Sequence, residues 1–277
     1  MVEIRITTLS ENTATYGFLG EWGLSILVEA DGKKILMDTG MSISTVYNAD
    51  LMGIDLTGIR IVVLSHGHVD HTGGLLEVLK RNKNVDVIAH PDILTSKFAE
   101  RNRDDFQYIG MPFSRKELES CGARFIFSGK PVSIAEHITT TGEIEMLTDY
   151  EIIDGNLFVK DDGQMLPDKL ADDLALVIDT EYGLVVILGC AHRGLINTLH
   201  HAQKITGKEL IYAVIGGTHL FRANEERIGR TIADLKDMGI QKLGVSHCTG
   251  FTASARLAQE FPGSFFLNNA GTRLRLP

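Results

Sequence analysis

The sequence predicts an α/β protein in which two sheets are stacked between helix layers. Two observations predict this fold class. Short runs rich in Val, Ile and Leu lie near both ends of the chain, and helical periodicity alternates with such runs in the last third. The 277 residues are 44% hydrophobic and 23% charged, which is ordinary globular composition in a chain long enough to bury a substantial core. We therefore expect a folded α/β chain.

The N-terminal part is predicted to form sheet. Four apolar runs bounded by Gly, Asp or Asn are predicted strands, and they begin at Val2, Leu24, Lys34 and Ile59. The turn ADG at residues 30–32 is predicted to join the second and third strands as a hairpin. A histidine-rich segment follows the fourth strand, and a helix is predicted from Gly73, because Leu75, Leu76 and Leu79 share one face.

The middle of the chain, roughly residues 91–170, is less regular, and we expect it to pass over the functional site, with a loop through KDDGQMLPDKL. Strands resume at Leu174 and Leu184. The next predicted elements are helix GLINTLHHAQKI, strand LIYAVIGG, helix EERIGRTIADLKDMG, strand IQKLGVSH and helix TASARLAQEF. The closing run GSFFLNNAGTRLRL is predicted to be a terminal hairpin.

Composition narrows the class of partner. The chain has 27 Lys and Arg against 36 Asp and Glu, a net charge of -9, and no basic run, so we expect a small-molecule substrate and no nucleic acid. No leader pattern and no membrane-spanning run is seen, so a cytoplasmic protein without a membrane partner is expected. The three cysteines are far apart, which predicts neither a disulfide framework nor a zinc knuckle. Nothing predicts the oligomeric state.

The segment SHGHVDHTGG at residues 65–74 carries the strongest signal for chemistry. Its four metal-type side chains lie between a predicted buried strand and a predicted helix, and they are His66, His68, Asp70 and His71. Residues two apart in an extended loop project to the same side, so His66 and His68 can bind one ion. Asp70 and His71, in the turn at the helix start, can face a neighbouring position. One loop can therefore contribute to two metal sites.

The HxHxDH pattern after a strand, with Asp38 ending the earlier strand in ILMDTG, resembles the metallo-β-lactamase superfamily. The resemblance implies an αββα sandwich of two mixed sheets flanked by helices, spanning residues 1–277 as a single domain. It also implies a site for one or two metal ions between the sheet edges. Zn is the expected ion, with Mn or Fe as alternatives. Further ligands are implied at downstream strand ends, usually a His, a bridging Asp and a final His.

Matching these downstream ligands leaves alternatives open. Cys190 lies where the bridging Asp normally falls, and it is either a thiolate ligand or a small buried side chain. His192, two residues later, is a ligand or contacts substrate, and His247 in LGVSHCTG matches the final His. Glu143 in TTTGEIE lies near the place of the usual middle His, and it is either a ligand or a solvated turn residue. If Glu143 is not a ligand, His192 takes its place.

Other residues are expected to contact substrate, to assist catalysis or to orient a ligand. His219 in IGGTHL is expected to contact substrate or metal, and Asp70 is a candidate catalytic group that accepts a proton from water. Asp38 is expected to orient a ligating imidazole. Arg193 is more simply a surface arginine than an anion contact. The remaining residues expected to be structural or at the surface are Cys121, Cys248, His90, His137, His200 and His201.

The motifs TTGEIE, DDLALVI, GLVVILGCAHRGLINT, VIGGTHL and SHCTG are similar to those of the 7,8-dihydropterin-6-yl-methyl-4-(β-D-ribofuranosyl)aminobenzene 5'-phosphate synthase group. That reaction joins a dihydropterin hydroxymethyl diphosphate to an arylamine ribose phosphate and releases diphosphate. The first hypothesis is nevertheless a metal-dependent hydrolase of a small ester, phosphoester or lactone.

The pterin-type transferase and a non-catalytic metal-binding sensor are the alternatives. For the transferase we expect an aromatic pocket in the middle segment, with Phe98, Phe106, Tyr108 and Phe113 available.

Overall fold

A computed structural model describes residues 3–276 of the chain. Val2, the first residue of the first predicted strand, lies outside the described residues. The strands, in chain order, are β1 (Ile4–Ser10), β2 (Ser25–Ala30), β3 (Lys33–Met37), β4 (Ile61–Val63), β5 (Val85–Ala89), β6 (Lys97–Asn102), β7 (Asp105–Tyr108), β8 (Ala123–Phe127), β9 (Ser133–Ala135), β10 (Ile138–Thr140), β11 (Leu157–Asp161), β12 (Gln164–Pro167), β13 (Ala175–Thr180), β14 (Gly183–Leu188), β15 (Ile211–Gly217), β16 (Lys242–Ser246), β17 (Phe265–Leu267) and β18 (Arg273–Leu276). The α-helices are α1 (Ser44–Leu51), α2 (Val69–Thr72), α3 (Leu75–Arg81), α4 (Arg115–Ser120), α5 (Leu195–Thr206), α6 (Glu225–Asp237) and α7 (Phe251–Glu260). Short 3₁₀ helices span Leu56–Gly58, Pro91–Leu94 and His247–Thr249.

The strands form two seven-stranded sheets and one small sheet. The first large sheet has the order β18-β1-β2-β3-β4-β5-β8, and the second has the order β17-β16-β15-β14-β13-β10-β9. Both sheets are mixed, because β3, β4, β5 and β8 run parallel in the first and β14 to β17 run parallel in the second. A four-stranded antiparallel sheet of order β12-β11-β6-β7 lies apart from both.

The layers follow from strands that are apolar on both faces. In β14, Leu184 and Val186 pack with Leu199 of helix α5, while Val185 and Ile187 face the core shared with the first sheet. Alternate residues of a strand point to opposite faces, so such a strand is covered by helices on one side and by a sheet on the other. A third core cluster joins the first sheet to helices α1, α3 and α4. The predicted αββα sandwich is therefore confirmed.

The two large sheets share one apolar core, to which strands from both halves of the chain contribute. This shared core supports our proposal that the chain forms a single domain.

The predicted hairpin at residues 30–32 is confirmed, since β2 and β3 pair antiparallel across it. The terminal hairpin is wrong. Strand β17 pairs parallel with β16 in the second sheet, whereas β18 pairs antiparallel with β1 in the first. The segment between β17 and β18 crosses from one sheet to the other. Two short strands close in sequence look like a hairpin, but β17 pairs with the strand before it and β18 pairs with the first strand of the chain.

The expected loop through KDDGQMLPDKL is also wrong. Strands β11 and β12 pair antiparallel across this segment, and β6 and β7 form a second hairpin through the charged residues 101–106. These strands are largely exposed on the small sheet, so they lack the apolar alternation that marks a strand in sequence. In the part of the chain that the structure describes, no helix has the length and apolar character needed to cross a membrane.

Candidate metal centre

Parallel strands from both sheets end at the same edge of the sandwich. Asp38 follows β3, the His66 to His71 loop follows β4, and Cys190 follows β14. His219 and His247 follow β15 and β16 in the second sheet. The two edges meet closely, because a Cβ at Gly189 would lie 2.1 Å from the Oγ of Ser65. Only a residue without a side chain allows this approach.

The first donor set consists of His66, His68 and His192. The Nε2 atom of His66 lies 3.0 Å from Nδ1 of His68 and 3.2 Å from Nε2 of His192. Burial and neighbouring imidazoles lower the pKa of His66 and of His192 well below the usual range. Burial also lowers the pKa of His68, to about 3. All three imidazoles are therefore neutral, which is the form that binds a metal ion.

The second donor set consists of Asp70, His71 and His247. The Nε2 atom of His247 lies 3.3 Å from Nε2 of His71 and 3.3 Å from Oδ2 of Asp70. Burial alone would lower the pKa of His71, but the carboxylates of Asp38 and Asp70 raise it to about 9. This position therefore favours a positive charge, and a bound cation can supply that charge in place of the proton.

Cys190 lies between the two donor sets. Its Sγ atom lies 3.2 Å from Nε2 of His71 and within 4.8 Å of donor atoms of His66 and His192. Burial raises the pKa of the Cys190 thiol well above its usual value. Three imidazoles on one side, and a carboxylate with two imidazoles on the other, fit one or two ions such as zinc, with the thiol positioned to reach both.

Asp70 is held in its ionised form beside the two imidazoles of the second donor set. Burial opposes its ionisation, but the neighbouring His71 and His247 lower the pKa of Asp70 far below its usual range. The ionised carboxylate is the form that can bind a metal ion, and the proton-accepting role of Asp70 stays a prediction. Its Oδ2 atom also accepts a hydrogen bond from Nε1 of Trp22 at 3.0 Å.

Glu143 is not brought to either donor set. Its side chain is about half exposed at 49%, and its carboxylate pairs with Arg193 at 3.2 Å. The chain turns at residues 141–143 so that Thr141 is buried and Glu143 faces outward. The expectation of a Glu143 ligand is therefore corrected, and His192 occupies the place that the alternative gave it. Arg193, which contacts Glu143, holds this turn instead of lining the cavity.

Asp38 makes the hydrogen bond expected of it. Its Oδ2 atom lies 2.6 Å from Nδ1 of His71, and its two carboxylate oxygens also accept from the backbone N–H and the hydroxyl of Ser65. These contacts leave Nε2 of His71 facing Nε2 of His247, the other imidazole of the second donor set. Asp38 thus fixes the orientation of the imidazole.

Asp38→Asn is expected to weaken metal binding by about 10- to 100-fold, because the orienting hydrogen bond to His71 is lost. Competition with a chromophoric chelator measures the dissociation constant. Asp86→Asn is the matched control, since Asp86 pairs with exposed Arg124 at the surface and should bind metal like the wild type. Equal affinities for the two variants would show that Asp38 does not support the site.

His219 lies beside the first donor set. Its ring centroid is 4.0 Å from that of His192, and its Nε2 atom lies 3.2 Å from Oδ2 of Asp154. Burial lowers the pKa of His219, but hydrogen bonds to Asp154 and Cys248 raise it to about 9. A cationic imidazole at neutral pH is suited to contact an anionic group of a substrate.

The backbone is strained where these side chains leave their strands. Four non-glycine residues at the site have positive φ angles, namely Asp38 at 58°, Ala191 at 54°, His219 at 50° and His247 at 54°. Such conformations cost about 1–3 kcal/mol each and persist where the surrounding structure enforces them, often at functional sites.

Sequence reasoning missed the buried charges beneath the His66 to His68 loop. The Nζ atom of Lys97 lies 2.8 Å from Asp168 and 2.9 Å from Asp172, and Asp172 accepts the backbone N–H of Gly67 at 2.8 Å. The adjacent Asp173 accepts the backbone N–H of Arg193, next to His192. Adjacent aspartates before an apolar strand were the available signal, whereas an isolated lysine in an irregular segment gives none.

A cavity of about 340 Å³ opens over both donor sets. Its aromatic walls are formed by Trp22, Tyr108 and Phe221, and Arg101 and Arg222 also line it. The middle segment contributes part of the wall, as expected. The other three predicted aromatic residues do not line this cavity: Phe98 packs on Tyr108, Phe106 packs on Phe158, and Phe113 packs against the core beneath the first sheet.

Comparisons with known proteins agree with this geometry. The sequence model of the metallo-β-lactamase superfamily matches residues 23–202. The 7,8-dihydropterin-6-methyl-4-(beta-D-ribofuranosyl)-aminobenzene-5'-phosphate synthase of Methanocaldococcus jannaschii is 36% identical, over 97% of this chain and 95% of that protein. The uncharacterized protein MJ0448 of the same organism is 31% identical, over 92% of this chain and 94% of that protein. The crystal structure of Tm1679, described as a metal-dependent hydrolase of the beta-lactamase superfamily, superposes with a TM-score of 0.86 at 29% identity, covering 99% of each chain.

Proposed function

The chain belongs to the metallo-β-lactamase superfamily, and on that premise we propose that it is a metal-dependent enzyme acting on a small, anionic, aromatic substrate. The observation that carries this proposal is the cavity, which is lined by two residues of each donor set, three aromatic rings and two arginines. Aromatic walls suit a planar ring, and cationic groups suit phosphate.

The reaction we propose first is the transfer of the whole dihydropterin-6-ylmethyl group from diphosphate to an arylamine. It is supported by the 36% identity to the synthase, which extends over nearly the whole of both proteins. In this reaction the carbon–oxygen bond to diphosphate breaks, a bond from the same carbon to the arylamine forms, and the arylamine gives up one proton. Zinc, or alternatively manganese or iron, would be held by the two donor sets and would stabilise the charge of the departing diphosphate.

The chain's own residues have distinct parts in this proposal. His219, cationic and hydrogen-bonded to Asp154, donates to oxygens of the leaving diphosphate. The guanidinium groups of Arg101 and Arg222 attract the phosphates at the walls of the cavity. Trp22 provides a half-exposed indole face for the pterin ring, while its N–H holds Asp70.

Hydrolysis is the second candidate reaction, and the structural similarity to Tm1679, described as a metal-dependent hydrolase, favours it. Here the same donor sets would activate water against an ester, phosphoester or lactone. Hydrolysis and transfer therefore differ in the acceptor and not in the ligands.

Diphosphate release separates the two reactions. The metal-loaded protein is incubated with dihydropterin hydroxymethyl diphosphate, with and without arylamine ribose phosphate. A transferase should release diphosphate only when the arylamine is present, with one coupled product for each diphosphate. Release without the arylamine, or turnover of phosphodiesters or lactones alone, would replace the transferase with a hydrolase. Tight metal binding without any turnover would instead support the sensor.

A further inference from the structure

Two cysteines approach each other across the second sheet. Cys190 follows β14 and Cys248 follows β16, and β15 lies between these strands. The Sγ atom of Cys248 lies 3.6 Å from the carbonyl oxygen of Cys190, and the two Sγ atoms are within 4.8 Å of each other. The two sulfurs are therefore close together although their strands are not neighbours.

The intervening strand makes room for this contact. Gly217 ends β15, and a Cβ at this position would lie 2.7 Å from Sγ of Cys248 and 3.3 Å from Cα of Cys190. Any side chain here would occupy the space in which the two cysteines approach. The third cysteine, Cys121, lies elsewhere, after helix α4 and beside the core under the first sheet.

Both sulfurs are accessible to a small molecule through the active-site cavity. Cys190 and Cys248 are only 3% and 2% exposed, but both line the cavity of about 340 Å³ above the donor sets. A molecule the size of hydrogen peroxide can enter a space of this volume. Sequence reasoning treated Cys248 as structural because nothing local to it indicates that it faces another cysteine.

We propose that Cys190 and Cys248 form a redox modification site, in which a small hydroperoxide converts the two thiols to a reversible disulfide and withdraws the Cys190 sulfur from the donor sets. The withdrawal from metal rests on the proposed metal centre, whereas disulfide formation does not. Forming the bond requires the two Sγ atoms, which lie within 4.8 Å of each other, to approach to about 2 Å.

The chemistry balances with one hydroperoxide. One cysteine sulfur attacks a peroxide oxygen, the O–O bond breaks, and the other oxygen leaves as alcohol or water, which produces a sulfenic acid. The second cysteine sulfur then attacks the sulfenic sulfur, the S–O bond breaks and water leaves. Two thiol protons end on the two oxygen products. Two electrons pass from the thiols to the peroxide, and a dithiol reductant reverses the change.

The disulfide would change metal binding because of where Cys190 lies. Its Sγ atom is 3.2 Å from Nε2 of His71, between the two donor sets. A sulfur bonded to another sulfur cannot become a thiolate ligand. We therefore expect the zinc dissociation constant of the oxidised protein to be at least about tenfold higher than that of the reduced protein. Because coupling between two equilibria is reciprocal, bound zinc should make disulfide formation less favourable by the same factor.

Thiol counting on metal-free protein tests the disulfide without any substrate. Wild-type protein has three cysteines, and after peroxide treatment one should remain free, with all three restored by dithiothreitol. Peptide mapping under non-reducing conditions should join the peptides that contain Cys190 and Cys248. In the control Cys121→Ser, the two remaining thiols should both be consumed by the Cys190–Cys248 disulfide. In Cys248→Ser, no intramolecular disulfide should form.

The wild-type peptide map keeps the test valid even if Cys248→Ser does not fold. Recovery of Cys190 and Cys248 as separate thiols, or as separate sulfinic acids, would overturn the proposed site. The zinc dissociation constant of oxidised and reduced protein is measured in parallel. Equal constants with the disulfide formed would overturn its coupling to the metal. Failure of the pterin reaction would leave both results unaffected.

Discussion

Replacing His192 by alanine is expected to remove one metal ion and to lower kcat/KM by about a thousandfold or more, since a catalytic ion contributes several kcal/mol to transition-state stabilisation. The side chain is 3% exposed, and its Nε2 atom lies 3.2 Å from Nε2 of His66. Without it, only His66 and His68 remain in the first donor set and the Cys190 thiol is shared with the second, so too few protein ligands remain for a stable zinc site. Metal content and kcat/KM are measured on the same preparation.

His200→Ala is the matched control for this experiment. His200 lies on helix α5, is exposed, and contacts Gln203 on the same helix. It should leave both metal content and activity unchanged. If His192→Ala retained the metal content of the wild type, the first donor set would be wrongly assigned.

Replacing Lys97 by methionine is expected to lower the free energy of unfolding by about 3–5 kcal/mol. The Lys97 side chain is 1% exposed, and its two partners Asp168 and Asp172 are 6% and 0% exposed. Methionine preserves much of the volume but leaves two buried carboxylates without a cation. Metal binding should also weaken, because Asp172 accepts a hydrogen bond from the backbone N–H of Gly67, which lies between His66 and His68 of the first donor set.

Urea unfolding at neutral pH measures this change, with Lys80→Met as the control. The Lys80 side chain is 56% exposed and pairs with Glu77 on the same helix, so its loss should cost no more than about 1 kcal/mol. Similar costs for the two variants would show that the buried ion pairs do not stabilise the fold as described.

The local part of the site could be predicted from sequence because it lies on one loop. His66, His68, Asp70 and His71 follow a single strand, so their proximity depends on local geometry alone. The second-sheet residues His192 and His247 were placed through the resemblance, and the structure brings both to the cluster. No local sequence pattern predicts which downstream strand ends lie next to the His66 to His71 loop.

The predictions that failed, and the residues that were missed, depend on contacts between parts of the chain that no local sequence pattern connects. Glu143 lies near the place of the usual middle His, but its side chain turns outward to Arg193, so the solvated-turn alternative holds and not the ligand. The terminal strands are close in sequence, yet they join different sheets. Lys97 carries no signal by itself, and its importance appears only when Asp168 and Asp172 fold against it.

Metal stoichiometry tests the proposed function most directly, because that function requires two donor sets that bind ions. Elemental mass spectrometry is applied to protein purified without added metal and again after reconstitution with zinc. We predict about two equivalents for the wild type and about one for His192→Ala, with the remaining ion held by Asp70, His71 and His247. Absence of bound metal from the reconstituted wild-type protein would contradict the account.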